Sequence, residues 1–486
     1  MRHTPILRTL PRALLAAALF SSLAGCALGP AYERPTAPAP AAFKELQGWA
    51  PAAPADALER GPWWNLFGDP VLDGLVRQVE VSNQNVAAAV AAYSQARAVV
   101  AEQRGALFPT VTLGAGADRN GSGGGGGSNN SNGNNNGGRT SNSYRLNIGS
   151  SWEPDVWGRL RAGINAAQAN AQASAADLAS ARLSAQGELA TDYFSLRSVD
   201  AQRALLATTI EGYRRVLKIT QNRFDVGIVP HSDVYQAQTQ LASAQSDDLT
   251  LARQRAQFEH AIAVLIGKAP ADFTLAGVPW KVTVPEVPVG VPSTLLERRP
   301  DIAASERAVA AANAQIGIVR AAYFPQIGLT ASYGPSASAI GDLFKASSVA
   351  WALGLSATET IFNGGANRAA VQGATAAREQ AVARYRQTVL TAFADVEDQL
   401  AATRVLAQQQ DLQREASQAA DKVEEQVLNR YKAGQVSYSE VVQAQVTALN
   451  ARRALVQTQG NRQTTAVALI QSLGGGWHAG SLTAQE

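Results

Sequence analysis

RFDVGIVPHSDVYQAQ, residues 223–238, returns as RYKAGQVSYSEVVQAQ at residues 430–445. Eight of the 16 columns are identical, and Phe224/Tyr431 and Asp233/Glu440 are near-matches. Gly227 and Gly434 stand where a helix ends in a left-handed residue, a conformation that glycine adopts without a side-chain clash. Ser232 with Asp233, and Ser439 with Glu440, suit the start of a new helix: a hydroxyl caps free N–H groups, and an acid favours the positive end of the helix dipole. Each segment therefore reads as a helix, a tight turn and a returning helix. A plain turn accounts for the Gly and the Ser. It does not account for the return of Arg223/Arg430, Phe224/Tyr431 and Val229/Val436.

Working outward, no proline occurs between Pro154 and Pro230, and none after Pro335. Both regions are rich in Ala, Gln and Arg and have a helical pattern. Residues 158–226 predict one nearly continuous helix, about 100 Å long at 1.5 Å per residue. Arg, Asp and Gln occur throughout it, so it stands in water rather than in lipid. Val382, Tyr385, Val389, Phe393, Val396 and Leu400 step by three or four residues, a coiled-coil seam.

Further out lie segments with period two. Tyr144, Leu146, Ile148 and Trp152 share one face and Arg145, Asn147 and Ser151 the other. Ile327, Leu329 and Tyr333 alternate with Gln326, Gly328 and Ser332; Val349, Trp351, Leu353 and Leu355 alternate with Ala350, Ala352, Gly354 and Ser356. A fourth, weaker strand is predicted near 110–118. LFPTVTL (107–113) parallels YFPQIGL (323–329), so the chain is a tandem duplication with a unit of roughly 210 residues. Alternating segments of this length match tilted membrane strands. Between the first two strands, all 19 residues of 120–138 are Gly, Asn or Ser, which reads as a linker or an external loop.

Four strands cannot close a barrel, and open edges are not tolerated in hydrocarbon. Two chains supply eight strands, whose interior is filled by side chains; three supply about twelve, enough to leave a bore. The expected fold is mainly α with a small transmembrane β part. Each protomer carries four strands and long coiled-coil helices, and trimerises into a 12-stranded β-barrel continued by a 12-helix α-barrel.

At the N-terminus, Arg2, Arg8 and Arg12 precede an apolar run from Ala13 to Ala24, the pattern of a secretion signal over residues 1–25. The only cysteine, Cys26, follows in Leu23-Ala24-Gly25-Cys26, which resembles a bacterial lipobox; the alternative is a small buried thiol. Lipidation at Cys26 would attach the chain to the membrane, and Ala27 in place of Asp implies, by resemblance to bacterial lipoproteins, the outer membrane. Without the signal, the formal charge falls from +3 to zero, which gives a nucleic-acid partner little support. The predicted organisation is a lipid anchor and Pro/Ala-rich tether (26–62), a first repeat (63–267), a Pro-rich connector (268–292), a second repeat (293–475) and a tail (476–486).

LLERRPDIAASERAVAAANAQIGIVRAAYFPQIGLTAS (295–332) resembles the signature stretch of TolC-type outer membrane efflux channels, in the lipoprotein subfamily that serves RND pumps. WWNLFGDPVLDGLV (63–76), the paired hairpins and LGGGW (473–477) also resemble that family, in the same order. The resemblance implies an exit duct for small compounds, with a homotrimer, a periplasmic adaptor and an inner-membrane RND pump as partners and outer-membrane lipid around the barrel. It implies that Arg223, Phe224, Gly227, Val229, Ser232, Arg430, Tyr431, Gly434 and Val436 form adaptor-docking tips. It implies a periplasmic gate at Arg430, Tyr431, Ser439 and Gln443. Relatives often carry a larger apolar residue where Ser439 stands and an acid where Gln443 stands, so the resemblance does not extend to a carboxylate ring at position 443. Gln443 lines the pore or packs between helices, and Glu424 or Glu425 is a candidate to supply acid elsewhere. In Arg298-Arg299-Pro300-Asp301, Pro300 and Asp301 suit a helix start. Trp63, Trp64 and Phe67 read as packing.

Nothing in the sequence points to an enzyme. His3, His231, His260 and His478 have no metal-ligand spacing, no nucleophile elbow occurs, and the glycine run lacks the Lys and Ser/Thr of a phosphate loop. No cofactor is expected. The alternatives within reach are a TolC-type duct for type I protein secretion or metal efflux, and a coiled-coil scaffold lipoprotein.

Overall fold

The computed structural model describes residues 28–46, 62–122, 139–287 and 295–477. Cys26, the signal segment before it and the tract 123–138 lie outside these residues.

In chain order the main elements are helices α1 (Pro70–Ser82) and α2 (Gln84–Gly105), strands β1 (Thr110–Ser122) and β2 (Arg139–Trp152), and helices α3 (Arg159–Asp225), α4 (His231–Leu265) and α5 (Pro300–Arg320). Strands β3 (Gln326–Ala337) and β4 (Val349–Thr358) follow, then helices α6 (Ala366–Lys432) and α7 (Tyr438–Ser472). The duplication is exact in the long helices: α3 and α6 have 67 residues each, and α4 and α7 have 35 each. Arg159 to Ala366, Asp225 to Lys432, His231 to Tyr438 and Leu265 to Ser472 are each 207 residues apart. Asn120, Gly121 and Ser122, read from composition as loop, are ladder residues opposite Ser141, Thr140 and Arg139. Pairing with a neighbouring strand overrides weak intrinsic β-propensity.

The described residues fall into two compact units. One comprises Met1–Pro35, Gln95–Ala171 and Arg307–Val382. Its centre is one antiparallel sheet of order β1-β2-β3-β4. Leu113, Ile148, Tyr333 and Trp351 stand opposite one another across all four strands, so they share a face. These four are 73%, 51%, 58% and 73% exposed. The other face carries Thr112, Gly149, Ser332 and Ala352, again in register. Below the sheet, Trp157 stacks on Phe324 at 5.0 Å and donates its indole N–H to the Pro325 carbonyl at 2.7 Å.

The other unit comprises Thr36–Ser94, Gln172–Glu306 and Ala383–Glu486. Asp69 caps α1, accepting from the Val71 and Leu72 N–H groups, and Pro70 occupies the first helical turn, where its missing N–H costs nothing. Trp63, Trp64 and Phe67 are buried; Phe67 packs against Phe194 at 4.7 Å and Trp63 donates to Gln186. Tyr385, Val389, Phe393, Val396 and Leu400 of the predicted seam are buried in α6. Arg299 grips Asp301 with both arms of its fork and reaches Asp395 and the Ser472 carbonyl, tying the start of α5 to α6 and to the end of α7. The connector is pinned through Leu275, whose N–H donates to Glu259 at 2.6 Å, and Ala276, whose carbonyl accepts from Arg197 at 2.8 Å. Among the described residues no helix is long and apolar enough to cross a membrane.

Candidate functional site

The two hairpin tips close by the same backbone device. The Gly227 N–H donates to the Phe224 carbonyl and the Ile228 N–H to the Arg223 carbonyl; Gly434 donates to Tyr431 and Gln435 to Arg430 in the same way. Both glycines have φ +76°, a left-handed value that costs any other residue about 1–2 kcal/mol. The glycine thus recurs because each turn needs a left-handed residue; the backbone carbonyls at 223, 224, 430 and 431 place no demand on side-chain type.

The helix starts differ from the expectation. Ser232 and Ser439 lie inside the first turns of α4 and α7, and the caps stand two residues earlier, at Pro230 and Ser437. Ser437 forms a capping box with Glu440, whose carboxylate accepts from the Ser437 N–H at 3.3 Å. Pro230 offers no side-chain cap and only positions the backbone. The displacement arises because a cap needs extended backbone, and Ser437 has ψ 159° whereas Ser439 is already helical.

Side chains then join the two tips. Arg223 donates to the Tyr431 carbonyl at 3.0 Å and the Lys432 carbonyl at 2.7 Å, and its guanidinium lies 4.7 Å from the Tyr431 ring centroid. A cation on the last carbonyls of α6 satisfies acceptors that the helix itself leaves open. The Tyr431 hydroxyl meets Thr220 at 3.4 Å, and its ring packs on Tyr438 at 5.5 Å. Tyr431 and Tyr438 are 2% exposed and share a core with Val216, Ala237 and Val441, to which Val436 adds. Burial, then the neighbouring Tyr431, Tyr213 and Asp233, push the Tyr438 phenol above its ordinary range. In the first repeat the matching aromatic pair is Phe224 and His231, stacked at 4.5 Å, with Tyr235 beyond at 4.2 Å.

The structure therefore separates the residues that sequence resemblance grouped. Arg223, Tyr431 and Val436 hold the tips together; Phe224 and Val229 are half-buried. Gly227, Ser232, Arg430, Gly434, Ser439 and Gln443 are exposed. Glu424 is engaged by Arg452, which also holds Asp421, whereas Glu425 is exposed. Val226 and Ile228, which the sequence reading passed over, are 69% and 67% exposed on either side of Gly227. Their apolar character beside a tip glycine was the available signal; the second tip has Ala433 and Gln435 there.

The second candidate surface is the apolar face of the sheet. It runs along β1 from Val111 through Leu113 to Ala117, about 20 Å at strand spacing. Leu353 and Leu355 on β4 are 76% and 73% exposed, levels at which a water-facing sheet would be unstable.

Residues 75–268 and 291–475 match the model of the outer membrane efflux protein family. The chain is 32% identical over 459 residues to the probable efflux pump outer membrane protein TtgC of Pseudomonas putida, covering 94% of each. It is 33% identical over 486 residues to the pyoverdine export outer membrane protein OpmQ of Pseudomonas putida, covering 98% of this chain and 100% of the other. The outer-membrane channel OprN superposes with a TM-score of 0.84 at 29% identity, over 93% of this chain and 100% of OprN.

Proposed function

This chain belongs to the outer membrane efflux protein family, and on that footing we propose that three copies join their sheets into one closed barrel in the outer membrane. The long helices continue it as a periplasmic tube through which small organic solutes leave the cell. The observation that carries this reading is the four-stranded sheet with a largely apolar exposed face and two unpaired edges, β1 and β4. Hydrocarbon accepts the face and rejects the edges, so the sheet is complete only when copies pair β1 to β4.

The duct works passively, as the outer membrane component of an efflux pump. Its partners are an inner-membrane RND pump and a periplasmic adaptor that docks on the exposed tip residues around Gly227 and Gly434. The Arg223 bridge to Tyr431 and Lys432 holds the tips closed, and Ser439 and Gln443, exposed on α7, line the constriction. Cys26 carries the lipid.

The test is the mass of the mature protein in detergent by light scattering, with heat-resistant bands in gels. A trimer with bilayer conductance is expected; a monomer soluble without detergent would refute the reading. Cys26→Ala should leave the trimer intact and lose palmitate labelling.

A further inference from the structure

All four connections to helices leave one end of the sheet. Thr110 and Ser151 pair there, as do Gln326 and Thr358. The opposite end carries only the two strand-to-strand connections, 123–138 and 338–348. If the helical tube is periplasmic, that opposite end is the outer rim. This orientation rests on the reading proposed above.

At the rim, residues 338–348 form a built loop rather than a loose one. Asp342 accepts from the Lys345 N–H at 3.2 Å and from the Ser348 hydroxyl at 2.7 Å, and Leu343 donates to the Ile340 carbonyl at 3.2 Å. The loop leans over the apolar face. Ile340 and Leu343 line a slot of about 320 Å³ with Ala115, Gly116, Ala117, Tyr144, Leu146 and Arg145, whose guanidinium is paired with Asp118. Ile340 is 62% exposed and Phe344 81%. One step beyond Ala117 on the same face of β1 stands Arg119, opposite Asn142. Arg119 is exposed and has no ion-pair partner among the described residues.

An exposed, largely apolar slot roofed by Ile340 and Leu343, with the Arg119 guanidinium one register step beyond it and that of Arg145 already held by Asp118, matches a ligand with an acyl tail and a phosphate head. A guanidinium binds phosphate through paired N–H donors and keeps its charge at any working pH. The slot is continuous with the face assigned to lipid, at the level of the headgroups. The outer leaflet of such a membrane is built of phosphorylated glycolipid. We infer that the slot under the 338–348 loop holds one acyl chain of a lipid A-type glycolipid, whose phosphate is bound by Arg119.

The test uses the full mature trimer in detergent, with native mass spectrometry counting bound lipid. Three probes are added separately: diphosphorylated lipid A, the same lipid enzymatically dephosphorylated, and phosphatidylglycerol. Wild type should retain lipid A in preference to the other two. Arg119→Gln should weaken retention about tenfold or more, the loss of one charge-assisted contact, and Ile340→Ser with Leu343→Ser should abolish it. Conductance of both variants should equal wild type, which separates loss of the lipid site from loss of the barrel. Equal retention of phosphatidylglycerol, or unchanged lipid A retention in Arg119→Gln, overturns the inference while leaving the channel reading in place. A chain that forms no trimer overturns both.

Discussion

Arg223, at the end of α3, sets its guanidinium 4.7 Å from the ring centroid of Tyr431, at the end of α6, and donates to the Tyr431 carbonyl at 3.0 Å. Two residues 208 positions apart thus stitch the two repeats together where both hairpins turn. The bond belongs to the molecule's own architecture, so a charge reversal at Arg223 disturbs the tip before it tests any partner.

Arg223→Ala removes two charge-assisted bonds and a cation–π contact, about 1.5–3 kcal/mol for each bond to the charged group. The expected result is a higher single-channel conductance in planar bilayers, with trimer yield unchanged. Arg223→Lys should recover only part of the closure, because an ammonium cannot fork between two carbonyls. Arg430→Glu, an exposed change, should leave conductance at the wild-type value and lower efflux complementation. A wild-type conductance in Arg223→Ala would contradict the bridge.

Ser437→Ala should cost about 1 kcal/mol at the start of α7, the usual worth of a helix cap. Ser439→Ala should cost a few tenths at most. Hydrogen exchange at residues 438–441 distinguishes them: faster in the first variant, unchanged in the second. Equal effects would mean that the capping box with Glu440 does not hold.

The sheet gives a two-sided prediction. Leu353→Arg places a charge on the lipid-facing side and should destabilise the inserted barrel by about 2–4 kcal/mol near mid-membrane. Ser332→Arg, on the opposite face, should leave assembly intact and shift ion selectivity toward anions. Reversal potentials in salt gradients measure the second, and urea titration of folded trimers in vesicles the first.

Asp192 on α3 is pushed up to about 6 by burial and then by Glu188 one turn away. Its folded value lies above its unfolded one, so the folded chain binds the proton more readily. Stability is therefore gained as pH falls from above 6 toward 4, and the penalty is fully present at pH 7 and above. Asp192→Asn should raise the melting temperature at pH 7.5, leave it unchanged near pH 4, and flatten the profile between. A melting temperature of Asp192→Asn equal to wild type at pH 7.5 would contradict the raised value.

Much of this fold is written in local pattern. Period-two alternation placed Leu353 and Ser356 on opposite faces because a strand's pleat admits no other arrangement. The absence of proline after Pro154, with Gly227 as a stop, delimited α3, because helix propagation and its termination depend on residues within a few positions. The reading of Ser439 as the start of α7 overlooked a local signal: Ser437 has Glu440 three residues on, the Ser-x-x-Glu capping box, whereas Ser439 has Val442 there. Composition could not show that Asn120 and Gly121 join a ladder, since their pairing depends on β2.

The sequence by itself determined the long helices and the strands, their twofold repetition and the sidedness of β2, β3 and β4. Each follows from stereochemistry within one turn or one pleat. Tertiary structure alone decided which tip residues are buried and which are offered outward: Arg223 and Tyr431 turned inward to each other, while Arg430, Ser439 and Gln443 stayed exposed. It also decided that the 338–348 loop folds over the face bearing Arg119. Those outcomes depend on contacts between segments tens to hundreds of residues apart, whose strength is set by geometry and desolvation rather than by any neighbour in the chain.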